Sequence, residues 1–287
     1  MSAFAARLVP ELARWIEGEA VFPDSMVDSI TPATTDALRA RVRAETGFDD
    51  EIPVSRESYC EWVIEDVLPP GSPGLAAAGA TMAANVGAWE KAKLRILNGA
   101  HSTLAYLGLL IGHETVADAM ADSELADFVE RMVRRDVAFT LEPSPLDLQA
   151  YIGAILARFR NPGIGHQLSQ IAWDGSQKLP YRILDTAADA LDAGRGVERL
   201  AVPVAAWILF VERQAQAGRE IVDPLAAAIF RIGMCDDAPE RLLALRQIFP
   251  ARLADDPTFR RPILDAVRAM RAEGPRACLS PIGAELG

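Results

Sequence analysis

The run WEKAKLRILNGAHSTLAYLGLLIG, residues 89–112, decides the reading of this chain. It is one unbroken helical pattern that stops at Gly112. Three polar residues sit within it: Lys93, Asn98 and His101. On an ideal α-helix, at about 100° per residue, Asn98 stands about 140° from Lys93, with His101 between them at about 80°. An ammonium, an amide and an imidazole therefore share one half of a cylinder whose other residues are mostly Leu, Ile and Ala. Polar groups on a face expected to be buried cost free energy unless they are paired or used. Each also has a plain structural reading. Lys93 fits a surface lysine whose stem lies along apolar neighbours, and His101 fits a hydrogen-bonded core histidine. Asn98 is the least ordinary, because Asn is a poor helix former and the chain has only Asn85, Asn98 and Asn161.

Downstream of this helix nearly everything reads helical. The apolar periodicity places helices at about 114–121, 123–141, 145–160, 164–173, 180–193, 198–217, 223–233, 239–248 and 258–273. Gly112, Glu142-Pro143, Asn161-Pro162-Gly163, Gly194–Gly196, Gly218 and Pro250 separate them. Asp223-Pro224 is a cap-plus-Pro start. No period marks a solenoid, and the tail from Gly274 is expected to fray. Upstream, Pro10–Glu17 reads as a short helix and Phe22–Pro32 as extended chain. Thr31-Pro32 reads as the N-cap and first residue of a helix that runs to about Glu45 and stops at Gly47. Val54–Val67 is strand or helix, Leu68–Gly74 (LPPGSPG) is the clearest linker, and Ala76–Gly87 is left open.

The bulk numbers exclude several classes. The 287 residues, half of them apolar, supply one large core or two modest ones. With 29 basic and 40 acidic residues the net charge is −11, which argues against nucleic acid and anionic membranes as partners. Cys60, Cys235 and Cys278 are few, odd in number and far apart, which fits a reducing cytoplasm. The N-terminus lacks a signal-peptide layout. The longest apolar runs, around 104–111 and 201–211, are too short to span a bilayer, and the second holds Pro203. A soluble, cytoplasmic protein is expected. Only Lys91, Lys93 and Lys178 among the basic residues are lysines; the rest are arginine. Against that background a lysine stands out for what arginine does not do, which is lose its proton and act as a base.

Several chemistries fail on spacing. His101, His113 and His166 lack metal-ligand spacing, so no metal is expected. There is no GxSxG elbow. Gly71, Gly74, Gly79 and Gly87 make no GxGxxG, and Gly163-Ile-Gly165 follows a helix rather than a strand. Asp174-Gly-Ser-Gln-Lys178-Leu-Pro180 fits a helix–helix turn, with Asp174 and Ser176 as caps and Pro180 opening the next helix.

Three stretches nevertheless carry a resemblance. KLRILNGAHSTLAYLG, with Lys93, Asn98 and His101 at this spacing, resembles the signature helix of the mannitol dehydrogenase family, the zinc-independent long-chain polyol and aldonate dehydrogenases that include fructuronate (mannonate) reductases. FPDSMVDSITPATT (22–35) resembles a second family motif and QIAWDGSQKLPYRIL (170–184) a third, in the right order. The resemblance implies a mainly α fold: a multi-helical C-terminal dehydrogenase domain like that of 6-phosphogluconate dehydrogenases over 71–287, and a remnant of the end of the Rossmann-side domain over 1–70. It implies NAD or NADP as cofactor, no metal, and a small polyol or sugar acid as ligand. It makes Lys93 the general base, Asn98 the group that polarises the carbonyl oxygen, and His101 the group that orients substrate hydroxyls. Asp28 supports the site near the lysine, and Lys178 contacts substrate. Hydride transfer needs such a base and such an oxyanion donor.

The chain departs from the family pattern in three places. Ser29 stands where the family usually has Arg, and Gln170 where some mannitol-specific members carry a substrate-binding Arg. The Gly-rich turn of the cofactor domain is not found within these residues. The chain by itself is therefore expected to turn over weakly or not at all, with a Rossmann-domain chain in trans as one way to complete it. The alternative is a non-catalytic helical module that binds a sugar acid or another protein.

Overall fold

The computed structural model describes residues 2–280. The protein is mainly helical, with one three-stranded sheet among the described residues, as the sequence reading expects. It divides into two compact units, a smaller one of Met1–Ile30 and Glu57–Glu90, and a larger one of Thr31–Arg56 with the chain from Lys91 onward.

In the smaller unit, β1 (Ser25–Asp28) pairs antiparallel with β2 (Glu61–Glu65), and β2 pairs parallel with β3 (Thr81–Ala83). These strands settle both of the stretches that periodicity leaves open. β1 alternates exposed and buried, so Met26 and Asp28 point inward while Ser25 and Val27 face out. Met26, Val63 and Val86 form its apolar cluster, flanked by Ala83 and Trp89. The helices Ser2–Leu8 and Pro10–Glu19 pack through Ala5, Ala13 and Ile16. The first of them lies ahead of the predicted start at Pro10.

The helix predicted from Thr31 begins instead at Asp36 and runs to Thr46. Thr35 caps it, accepting from Leu38 N at 3.2 Å, while the Thr34 hydroxyl is tied to the Pro53 carbonyl at 3.0 Å. The residues just after Pro32 are thus held outside the helix by their own side chains. Gly47 closes the helix at φ 76°, as expected.

The larger unit is built on two buried helices. Gly99–Ile111 is buried all round except at its C-terminal end, so it behaves as a core helix rather than an amphipathic one. Glu198–Gln216 packs against it and against Pro257–Glu273 and Ala226–Gly233. Trp207, Phe249 and Phe259 pack through this core as tilted rings with centroids 6.1 and 6.5 Å apart. Thr115 and Asp118 close a reciprocal capping box on Val116–Ala121.

The predicted turn at Asp174–Pro180 is different in the structure. Gly175–Leu179 runs through the π-helical segment Pro180–Leu184 into Asp185–Asp192 without a break. Pro180 has no N–H to give, and the wider turn tolerates it. The Asp174 side chain does not cap. Asp223 does, from another part of the chain, accepting from Ser176 N at 2.8 Å and Ser176 Oγ at 2.6 Å. Past Gly274 a 3-10 turn, Pro275–Cys278, replaces the expected frayed tail; the rest of that tail, beyond Ser280, lies outside the described residues. No helix among the described residues is long and apolar enough to cross a membrane.

Candidate active site

The helix of residues 89–112 is continuous but not uniform. Val86–Ala92 is α, Lys93–Asn98 is π, and Gly99–Ile111 is α again. Gly99 N reaches back five residues to the Leu94 carbonyl. This corrects the angle expected from an ideal α-helix. An i→i+5 register stacks residues five apart nearly in line, as the α register does for residues four apart, so Lys93 and Asn98 approach one face. Such π-turns recur at functional sites because they re-aim side chains without ending the helix.

A second π segment faces the first. A Cβ on Gly99 would lie 2.9 Å from the Arg182 carbonyl, so the two backbones meet where only glycine fits. Arg182 Nη1 donates to Ser102 Oγ at 3.1 Å and to the Asn98 carbonyl at 3.4 Å. The peptide of Asn98 is thereby tied to the helix that carries Lys178. Lys93 and Asn98 are half-buried.

His101 is 5% exposed and stacks on Phe159, with centroids 4.3 Å apart. His166 stands edge-on to it at 5.3 Å. His101 Nε2 and His166 Nδ1 are buried without a hydrogen-bond partner. Burial first, then His166, Arg182, Arg158 and Lys178, hold the His101 pKa well below the usual imidazole range. Burial and then Lys178 lower His166 as well. Both rings are therefore neutral at neutral pH, suited to hydroxyl hydrogen bonds rather than to charge.

Lys178 Nζ donates to the Ile171 carbonyl at 3.2 Å, and burial followed by Arg182 lowers its pKa. Gln170, the residue before Ile171, accepts from Ala33 N at 3.4 Å. Asp28 lies in the smaller unit, 1% exposed on β1. Lys91 is a different kind of lysine: it pairs with Asp189 at 3.3 Å and with the Thr140 carbonyl at 3.2 Å. Those contacts ask only for a positive charge. No group of His, Cys, Asp and Glu among the described residues is arranged to hold a metal ion. A cleft of about 740 Å³ lined by Val202, Pro257, Pro262 and Cys278 shares no residue with this cluster.

The structure thus gathers His101, Lys178 and the Asn98 peptide around residues that sequence reading passed over: Arg182, His166, Arg158 and Phe159. A signal for Arg182 is present, since Lys178 and Arg182 stand four apart on one helical run. Nothing in the spacing of His166 marks it as a ring neighbour of His101.

Comparison with known proteins fits this geometry. Residues 85–271 match the mannitol dehydrogenase C-terminal domain, and residues 2–76 match the mannitol dehydrogenase Rossmann domain. The D-mannonate oxidoreductase of Escherichia coli is 36% identical over 95% of this chain and 57% of its own length. A mannitol 2-dehydrogenase of Phaeosphaeria nodorum is 32% identical over 97% of this chain and 50% of its own. The structure of Pseudomonas fluorescens mannitol 2-dehydrogenase in ternary complex with NAD and D-mannitol superposes with a TM-score of 0.85, at 34% identity, over 97% of this chain and 57% of that one. The chain spans about half the length of the curated relatives it matches. On these matches and this fold, the chain belongs to the mannitol dehydrogenase family.

Proposed function

We propose that Lys93, Asn98 and His101 carry the proton half of an alcohol–carbonyl interconversion on a polyol or sugar acid. Residues 71–287 form the substrate domain, and residues 1–70 the end of the cofactor-side domain. The observation that supports the reading is the π-turn over Lys93–Asn98, whose i→i+5 register favours a shared face for the amine and the amide, within a family match over residues 85–271. In the oxidative direction Lys93 takes the proton of the reacting hydroxyl. Asn98 donates a side-chain N–H to the same oxygen as it becomes a carbonyl, and neutral His101 bonds a neighbouring hydroxyl. Lys178 and Gln170 border the substrate.

The hydride acceptor of this chemistry is a nicotinamide dinucleotide, NAD or NADP. We place most of its cradle outside the described residues. The parallel pair β2–β3 is joined by a stretch whose helical content is the single turn Ala76–Ala78, not by a helix with a Gly-rich start. No step at the cofactor is assigned to this chain, and residues 1–287 alone are expected to give little or no turnover. Completion comes from further residues of a longer protein or from a second chain. In the complete enzyme Lys93→Met should lower kcat/KM about 10²–10⁴-fold, the typical worth of a positioned base. A change below about threefold removes Lys93 from that role. The second reading, an interaction module, is favoured by Phe4, Leu8, Trp15 and Phe22, each 58–70% exposed in the smaller unit. It stands if the complete protein binds a partner and oxidises no polyol or sugar acid.

A further inference from the structure

We infer that the substrate held by this site is an anion, a sugar acid whose carboxylate is bound by Lys178 and Arg182, and not a neutral polyol. This rests on the dehydrogenase reading above and specifies its substrate.

The argument begins with charge. The chain carries eleven more acidic than basic residues, and two of its arginines with little exposure are neutralised by them, whereas Arg131 donates to the Leu279 carbonyl. Arg95, 5% exposed, pairs with Asp189 at 2.7 Å, and Arg199 pairs with Asp136. Lys178 and Arg182 are not paired in this way. Their acceptors are the Ile171 carbonyl, the Ser102 hydroxyl and the Asn98 carbonyl, all uncharged. Among the described residues neither has an ion pair with a carboxylate.

The acids that the pair senses are Asp174 and Asp223 for Lys178. Asp223 is already engaged by Ser176 N, Ser176 Oγ and Leu225 N. Asp174 is in the left-handed region at φ 55°, with its amide bonded to the Val222 carbonyl. Neither replaces a partner at hydrogen-bond distance. Arg158 adds a third positive charge to the same cluster around His101.

Burial works against both cations. It lowers the pKa of Lys178 and of Arg182, so each positive charge is held at a cost that an incoming anion relieves. A neutral polyol offers no such relief. Their spacing on one helical run presents an ammonium and a guanidinium together, a pair suited to the two oxygens of a carboxylate. His101 supplies the uncharged complement: its Nε2 is buried and unpartnered, and the ring is neutral. The cluster thus offers positive charge at Lys178 and Arg182 and hydroxyl bonding at His101. Gln170, uncharged, adds nothing to the positive charge.

A phosphate of the cofactor is the other source of negative charge, so the test has three arms. D-Mannonate, D-mannitol and NAD are titrated calorimetrically into the purified 287-residue chain. D-Mannonate is expected to bind about ten- to a hundredfold more tightly than D-mannitol, the span of one or two charge-assisted hydrogen bonds. The difference should shrink as salt is added. Arg182→Gln and, separately, Lys178→Gln should remove most of that preference, while Arg182→Lys retains part of it. Urea unfolding of each variant shows that it is folded, and the Lys178 variant covers the case in which Arg182→Gln unfolds. Equal binding of the two sugars, or binding of neither, overturns the inference. So does loss of NAD binding, rather than D-mannonate binding, in the variants. Equal binding leaves the dehydrogenase reading standing. Tight D-mannonate binding, with no NAD-linked oxidation by the complete protein, upholds the anion site and sinks the dehydrogenase reading instead.

Discussion

Gly175→Ala is the substitution that tests the packing under the site most directly. Gly175 opens the helix that leads to Lys178, and a Cβ there would lie 2.5 Å from Trp207 Nε1 and 2.7 Å from Tyr106 Oη. Ordinary contact begins near 3.4 Å, so at least one ring must retreat by roughly an ångström. Neither has room, since Trp207 is 2% exposed and Tyr106 1%. Overpacking of this kind costs about 1–3 kcal/mol, and two rigid rings put this case at the upper end. The gain in helix propensity from Gly to Ala offsets at most about 1 kcal/mol. A net loss of about 2 kcal/mol is expected. Gly153 is the control: it sits inside Leu148–Phe159 with nothing within 4 Å of its would-be Cβ. Gly153→Ala should therefore gain up to about 1 kcal/mol. Urea unfolding followed by circular dichroism and tryptophan fluorescence reads both as shifts in midpoint at constant slope. If Gly175→Ala lies within about 0.5 kcal/mol of the parent while Gly153→Ala behaves as stated, the close approach of Tyr106 and Trp207 is refuted.

Two further predictions concern pH. His101 and His166 both have folded pKa values lowered by burial, so below about pH 6.5 the unfolded chain takes up protons that the folded one refuses. Stability should hold above that pH and fall beneath it, by up to about 1.4 kcal/mol per pH unit for each ring; unfolding midpoints at pH 7.5 and 5.5 check it, and His166→Gln should flatten the slope. Asp122 is held well below the usual carboxylate range by Arg276 at 2.6 Å, and also by His113 at 3.0 Å and by Leu125 N. Its contribution should be present above about pH 4 and lost as pH falls further. Asp122→Asn should cost about 2 kcal/mol in thermal or urea unfolding at pH 7, the scale of hydrogen bonds to a charged group.

The sequence was most legible where side-chain chemistry repeats with the backbone. The buried helix after Asn98 was readable because apolar residues fill every face, and the stop at Gly112 because only glycine sits easily at φ 108°. The inward aim of Asp28 follows from the two-residue period of β1. Hydrogen-bond register is another matter. A π-turn adds one residue to one turn and leaves the apolar pattern on either side nearly unchanged, so KLRILN announces no departure from the α register. Pro180 misled for a related reason: it is a common first helical residue, and here it sits inside a longer helical run. The cap on Ser176 was invisible because it comes from Asp223, 47 residues away.

The site shows the same division. Lys93, Asn98, His101 and Lys178 stand out as polar groups in apolar or motif-bearing runs, which a reader of one strand of text can see. Arg182 does not, because its distinction is negative: it is a half-buried cation whose acceptors are all neutral, in a chain that pairs Arg95 and Arg199 with carboxylates. Only the fold supplies that comparison. It also changes how the central helix is understood. Lys93 and Asn98 owe their shared face to the π-turn, and Arg182 bonds to the Asn98 carbonyl at one end of that turn. On the proposed reading, the residue that offers charge to an incoming carboxylate also holds the peptide of the amide that meets the reacting oxygen. A substituent that moves Arg182 should move Asn98 with it, so specificity and chemistry at this helix are expected to vary together rather than separately.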